Sequence, residues 1–313
     1  MKNPSATNQT YLLVLLSCLS GAFGPPIFGI LARTMQPTLA VAYFLMFGGL
    51  SMIPVALYQL RSRRSETSLP KLGLKPLVKL LALSISMALM YLGYTTSIVR
   101  GSVMETITIV RLDPLFVTIL SILIVKDTRL TRPFLFIVSL LLSFLGLGIL
   151  RNAHWSTLIA TITNPFVLVG VATAFCLAVM FLLRTSLTKV HSWDKSSVIA
   201  VSMIIASACV FLFFKAAFSN HPIGIPSLHE FLLLAYLGCI TIALSQFLQL
   251  KATDHENNAK VYMLYNLQPL LITIATFMVK REQVNFWIIG TSFLVISLAT
   301  VLASRSIKSK QDS

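Results

Sequence analysis

The sequence predicts an all-α membrane protein of ten transmembrane helices, arranged as two inverted five-helix repeats. Three observations predict it. Of the 313 residues, 56% are apolar and 11% charged, with a mean hydropathy of +0.83, whereas soluble domains carry roughly 25% charged residues. Ten apolar runs of about 18 to 25 residues follow one another, each long enough to cross a hydrocarbon core of roughly 30 Å as a helix, which satisfies its own backbone there. Finally, Leu112-Asp113-Pro114-Leu115-Phe116-Val117-Thr118-Ile119 recurs 155 positions later as Leu267-Gln268-Pro269-Leu270-Leu271-Ile272-Thr273-Ile274, identical at five of the eight positions.

The first run, 11–31, contains Gly24-Pro25-Pro26. Two adjacent prolines remove two backbone donors, so this helix must kink or unwind. Such a break either marks a site or gate in a transporter or only shapes packing. The run is too long for the apolar core of a cleavable signal and is expected to remain a helix. The second run, 37–59, bends at Pro54, and the third, 76–98, carries Tyr91 and Tyr94. The fourth, 102–125, holds Glu105, Arg111 and Asp113, followed by Pro114. Runs 133–150, 165–188 and 196–216 supply the fifth, sixth and seventh helices. The eighth, 228–250, places Gln246 and Gln249 at the repeat positions of Tyr91 and Tyr94. The ninth, 260–279, carries Tyr262, Tyr265, Asn266 and the recurring Gln268-Pro269, and the tenth spans 285–304.

The offset of 155 also places Ile85-Ser86-Met87-Ala88-Leu89 on Ile240-Thr241-Ile242-Ala243-Leu244 and Lys126-Asp127 on Arg281-Glu282. The repeats are therefore expected at 1–155 and 156–313, together forming one transmembrane domain. Five is an odd number of crossings, so the second copy enters the membrane from the opposite side. With the N-terminus inside, eighteen Lys and Arg fall on the cytoplasmic side, Arg184 counted with the link after the sixth run, and six fall outside. This excess places both termini in the cytoplasm. The net charge of +15 thus reads as topology, with anionic-lipid contact, and not as a nucleic-acid surface. Inverted repeats of this kind build secondary transporters, with a site where the repeats meet and access that alternates as one half rocks against the other.

The order of these features resembles the drug/metabolite transporter superfamily, specifically its ten-helix EamA-type members. The resemblance rests on Pro114-Leu115 running to Asp127 and Pro269-Leu270 running to Glu282, and covers nearly the whole chain. It implies a central cavity lined by helices 1, 3 and 4 and their mates 6, 8 and 9, with helices 5 and 10 to the side. Two positions depart from the family pattern: Ser20-Gly21 stands for an aromatic-Gly pair, and Tyr43 for an arginine early in the second helix.

The polar residues inside the spans are the candidate site. An ionised side chain at the middle of a span costs at least about 2.5 to 3.5 kcal/mol, so Arg111 and Asp113 must face a wet cavity or a partner. Arg111 either holds an anionic substrate group, a carboxylate or phosphate matching its planar fork, or bridges helices. Taken as one regular helix, the fourth run puts Arg111 and Thr118 on one face and Asp113 about 200° away from Arg111; Asn266 and Thr273 repeat that stripe. Asp113, with Glu105 second, is the candidate for proton coupling, because a carboxyl group removed from water binds its proton more readily; an interhelix anchor is the alternative. Tyr91, Tyr94, Gln246, Gln249 and Tyr265 suit a substrate with an amide, amine or ring, or else serve as packing residues. Pro25, Pro26, Pro114 and Pro269 are the kink or gating positions.

Other patterns exclude more than they suggest. Cys18, Cys176, Cys209 and Cys239 stand singly in apolar runs and read as small core residues. The five histidines never pair at metal-ligand spacing, and His255-Glu256 lacks a second histidine. Asn8-Gln9-Thr10 fits a glycosylation sequon on a tail placed in the cytoplasm. There is no Gly-rich phosphate loop, so no cofactor is expected and movement would be gradient-driven or facilitated. The expected function is a secondary transporter or exporter of a small polar organic metabolite bearing a carboxylate, such as an amino acid, in a bacterial inner membrane. A larger nucleotide-like or sulfonium cargo is the alternative, with a membrane-embedded enzyme or a scaffold behind it. The expected partners are a small-molecule substrate and the lipid bilayer, with no nucleic acid; the sequence leaves oligomeric state open.

Overall fold

A computed structural model of the chain describes residues 4–63, 73–100, 103–110, 112–120, 128–130, 132–150, 165–218, 223–252, 268–280 and 286–309. Six of its helical spans are long and apolar enough to cross a membrane: Gln9–Leu31, Pro37–Arg61, Leu74–Arg100, Pro165–Val190, Lys195–Ala217 and Leu228–Ala252. In the other four expected spans the described residues are helical as well. The chain is an all-α integral membrane protein.

The first span is broken as its prolines require. Helix α1 (Pro4–Ala22) stops at Phe23, and α2 (Gly24–Leu31) restarts with proline in its first turn, where a missing N–H costs nothing. Helix α3 (Pro37–Arg63) passes through Pro54 without interruption. Helix α4 (Leu74–Arg100) shows the two faces of a lipid-bathed helix. Leu77, Leu81, Ile85 and Leu89, four residues apart, are exposed, while Leu80, Leu83, Met87 and Ala88 are buried; in a bilayer the outward stripe meets acyl chains.

The fourth span departs from expectation. It is not one helix but two, α5 (Val103–Val110) and α6 (Asp113–Leu120), with Leu112 N–H donating to Ile109 O at 3.1 Å. Proline at position 114 cannot donate to the carbonyl at position 110, so the ladder opens there. Angular bookkeeping from Arg111 to Thr118 assumes one continuous helix and does not carry across this break. Helix α7 (Pro133–Leu150), α8 (Pro165–Thr185, extended by a π-helical turn Ser186–Val190) and α9 (Lys195–Ala217) follow. Asp194 caps α9 by accepting from Ser197 N–H at 3.0 Å. The eighth span starts as α10 (Leu228–Ala235), capped by a Ser227–Glu230 box, widens to a π-helix over Tyr236–Leu244 and ends as α11 (Ser245–Ala252). Helices α12 (Gln268–Lys280) and α13 (Phe286–Arg305) complete the described bundle.

Packing pairs helices in antiparallel fashion. At one end of α3, Tyr43 donates to Gly224 O at 3.1 Å; at the other, the Gln59 amide lies 3.1 Å from Ser196 Oγ, at the start of α9. Helices α7 and α13 also run antiparallel, with Ser292 Oγ donating to Gly146 O at 2.6 Å. Their outer ends meet where β1 (Thr128–Leu130) pairs with β2 (Ile307–Ser309) in a two-stranded antiparallel ribbon. That ribbon puts 128–130 and 307–309 on the same side of the membrane.

Small residues let the centre close. A Cβ on Gly238 would strike Phe44 O and come within 2.7 Å of Gly48 N, and one on Gly48 would approach Gly238 O to 2.7 Å. Helix α3 and the π-helical stretch thus cross backbone to backbone at a glycine pair, the device that membrane helices use to approach closely. The buried core around it runs through Phe44, Leu45, Leu83, Met87, Met203 and Leu234.

Candidate functional site

Inside this bundle lies a cavity of about 180 Å³. The broken first span contributes Gly24, Pro25 and Phe28, α4 contributes Tyr91 and Tyr94, and Val110 and Asp113 flank the break between α5 and α6. From the second half come Leu177 and Met180 of α8, Gln246 and Gln249 of α11, and Gln268 and Ile272 of α12. Phe44 of α3 also reaches it. Helices α7 and α13 pack on each other and contribute no lining residue among those described. The wall is mostly apolar with a few convergent polar groups, the usual make-up of a small-molecule site.

The glycines explain how the break becomes a wall. A Cβ on Gly24 would collide with Thr241, and one on Gly21 would lie 2.7 Å from Gln268 Nε2. The first span therefore rests directly on the π-helical stretch of the eighth. Ser17 fixes that contact, its hydroxyl donating to Ser245 O at 2.8 Å while Ser245 Oγ donates to Ser17 O at 3.1 Å. A π-helical segment inside a longer helix is a frequent mark of a functional site.

Among the polar residues singled out in the sequence, Tyr91, Tyr94, Gln246, Gln249 and Asp113 all line this cavity, as do Pro25 and Gln268. Pro26 is buried in the same first turn. Gln246 Nε2 donates to Tyr91 Oη at 3.0 Å, and the Tyr91 ring packs edge-on against Phe44 with centroids 5.3 Å apart. Asp113 is 1% exposed and begins α6, where the unfilled N–H groups of a helix start favour a carboxylate. Arg111, Tyr262, Tyr265 and Asn266 lie outside the described residues, as do the side chains of Glu105, Pro114, Thr118, Pro269 and Thr273. Tyr43, at the departure from the family pattern, packs on Phe211 and is not among the lining residues described.

One residue was misplaced by sequence reasoning. Arg184, assigned to the cytoplasmic link, is 1% exposed within α8, and its Nη2 donates to Gln246 Oε1 at 2.9 Å. It forms a shell behind the cavity wall. The available signal was that the sixth run, 165–188, already contains position 184, although the charge count set it with the link.

A bundle of apolar spans surrounding a partly polar cavity is the architecture of a membrane protein with an internal small-molecule site. The model of the EamA-like transporter family matches residues 8–151 and again 164–304. The chain belongs to that family, within the drug/metabolite transporter superfamily. A solved crystal structure is similar over 96% of this chain and 97% of its own, with a TM-score of 0.60 and 16% identity, which shows the fold alone. A comparison with curated proteins found no match.

Proposed function

We propose that the protein is a secondary transporter of a small polar organic metabolite bearing a carboxylate, such as an amino acid, working by alternating access between two inverted five-helix repeats. The observation that carries this reading is the cavity built from equivalent positions of both halves: Tyr91 with Gln246, Tyr94 with Gln249, Asp113 with Gln268. Rocking one half against the other would open such a site first to one side and then to the other. Its volume of about 180 Å³ falls below the roughly 300–1,000 Å³ of sites for drug-sized ligands, which favours a small cargo over a nucleotide-like one. The buried Arg184 behind the wall and Arg111 beside Asp113 in the chain favour an anionic group on it.

In this reading Asp113, with Glu105, carries the coupling proton, and the breaks at Pro25-Pro26 and Pro114 are the flexible points. Pro269 is their counterpart in the second half, with Tyr265 and Asn266 on the same ninth span. The Lys and Arg distribution and the β1–β2 ribbon support cytoplasmic termini, in a bacterial inner membrane. A thermal-shift screen of the purified protein against amino acids and small organic acids tests the cargo class, because a ligand that binds only the folded form raises its melting point. Stabilisation by small carboxylates is expected; stabilisation by nucleotide-like or sulfonium compounds alone would overturn the assignment.

A further inference from the structure

Arginine carries five N–H donors and no acceptor, and a glutamine amide has one oxygen and one NH₂ group. Arg184 can therefore engage only the oxygen of Gln246, as the contact of Nη2 with Oε1 at 2.9 Å shows. Both ends of that amide are then determined. Its NH₂ faces Tyr91, and Nε2 donates to Oη at 3.0 Å. A phenol oxygen that accepts still has its own hydrogen to give. Among the described residues Tyr91 Oη makes no hydrogen bond besides the one it accepts from Gln246, and Tyr91 lines the cavity.

We infer that Arg184, acting through Gln246, makes Tyr91 a dedicated hydrogen-bond donor for an acceptor atom of the cargo, and that a carboxylate oxygen is the atom it fits best. The chain Arg184–Gln246–Tyr91 starts on a cation, and successive donors in a low-dielectric interior polarise one another. A polarised hydroxyl gains most from an ionised acceptor. Arg184 is thus a positioning residue: it is 1% exposed, stays behind the wall and fixes which way the amide faces. Without it the Gln246 amide is free to turn its oxygen to Tyr91 and take up the hydrogen meant for the cargo. This inference rests on the proposed transport of a small carboxylate through the same cavity.

The experiment is a thermal-shift titration of the full chain in detergent with the proteinogenic L-amino acids and their carboxamides. It compares wild type with Tyr91→Phe, Arg184→Met, Arg184→Lys and Gln246→Glu. Wild type should prefer free acid to amide. Tyr91→Phe should lose about tenfold in apparent affinity for the acid, and less for the amide, so the preference collapses. Arg184→Met should do the same and Arg184→Lys should recover part of it. Gln246→Glu retains a partner for Arg184, but its carboxylate accepts from Tyr91, so adding Tyr91→Phe to it should cost nothing further. Wild-type acid preference in Tyr91→Phe, or additive losses in the double variant, would overturn the inference while leaving the proposed function standing. If Arg184→Met fails to fold, the Tyr91→Phe and Gln246→Glu arms still decide. Failure of every amino acid to stabilise wild type would overturn the proposed function, and this inference with it.

Discussion

Tyr91 and Gln246 stand 155 positions apart, at the same place in the two halves of the chain, and they are hydrogen-bonded to each other at 3.0 Å. Each comes from a different half, so their hydrogen bond joins the two halves. The cavity they line therefore sits where the two halves meet, with one polar wall from each. That placement makes the following outcomes specific.

Removing the charge at Asp113 separates coupling from anchoring. Asp113 lines the cavity and is 1% exposed. In proteoliposomes, Asp113→Asn should flatten the response of uptake to an imposed pH gradient while substrate exchange at equal pH persists. A variant that cannot be extracted as folded protein would instead assign Asp113 to holding helices together, since breaking a buried charge interaction costs about 3–5 kcal/mol.

Arg111 is expected to grip the anionic group directly. A charge-assisted hydrogen bond is worth roughly 1.5 to 3 kcal/mol, about tenfold to a hundredfold in affinity. Arg111→Gln should weaken binding of the acid by that order, and Arg111→Lys should recover only part, because the bidentate fork is lost. Equal losses for acid and amide, with a lowered melting temperature, would make Arg111 structural.

The glycine crossing predicts a position-specific stability loss. Gly238→Ala must push α3 away, because its Cβ meets backbone atoms of Phe44 and Gly48 that cannot rotate aside. A loss of about 1–3 kcal/mol is expected, read as a lower melting temperature of detergent-purified protein. Gly290→Ala, with nothing within 4 Å of the new Cβ, should melt as wild type does. Equal behaviour of the two would contradict the close approach.

Topology is open to cysteine labelling in intact cells. Arg63→Cys and Lys308→Cys should react with an impermeant maleimide only after permeabilisation, and His221→Cys before it. Outside labelling at Arg63 would reverse the orientation. Opposite sides for Arg63 and Lys308 would contradict ten crossings.

Much of this fold is legible in the sequence, because a bilayer imposes length and apolarity on each span. Proline does the same for the breaks: Pro25-Pro26 announced the interruption at Phe23, and Pro114 the one after Val110. The second was underread, since a regular helix was carried through it. Other features depend on tertiary contact. Nothing local marks Tyr236–Leu244 as π-helical, and the Gly48–Gly238 approach becomes visible only when two distant spans cross. Arg184 was missed because a cation near a span's end normally reaches for water, whereas here an amide from another span meets it first.

The central claim, a cargo site at the meeting of the halves that opens to each side in turn, is tested most directly at Leu177, a lining residue from α8. In a background with Cys18, Cys176, Cys209 and Cys239 replaced, Leu177→Cys should react with an impermeant maleimide both in right-side-out and in inside-out vesicles. The amino acid that most stabilises the protein should slow both reactions. Labelling from one side only, or labelling from both that the ligand leaves unchanged, would contradict the account.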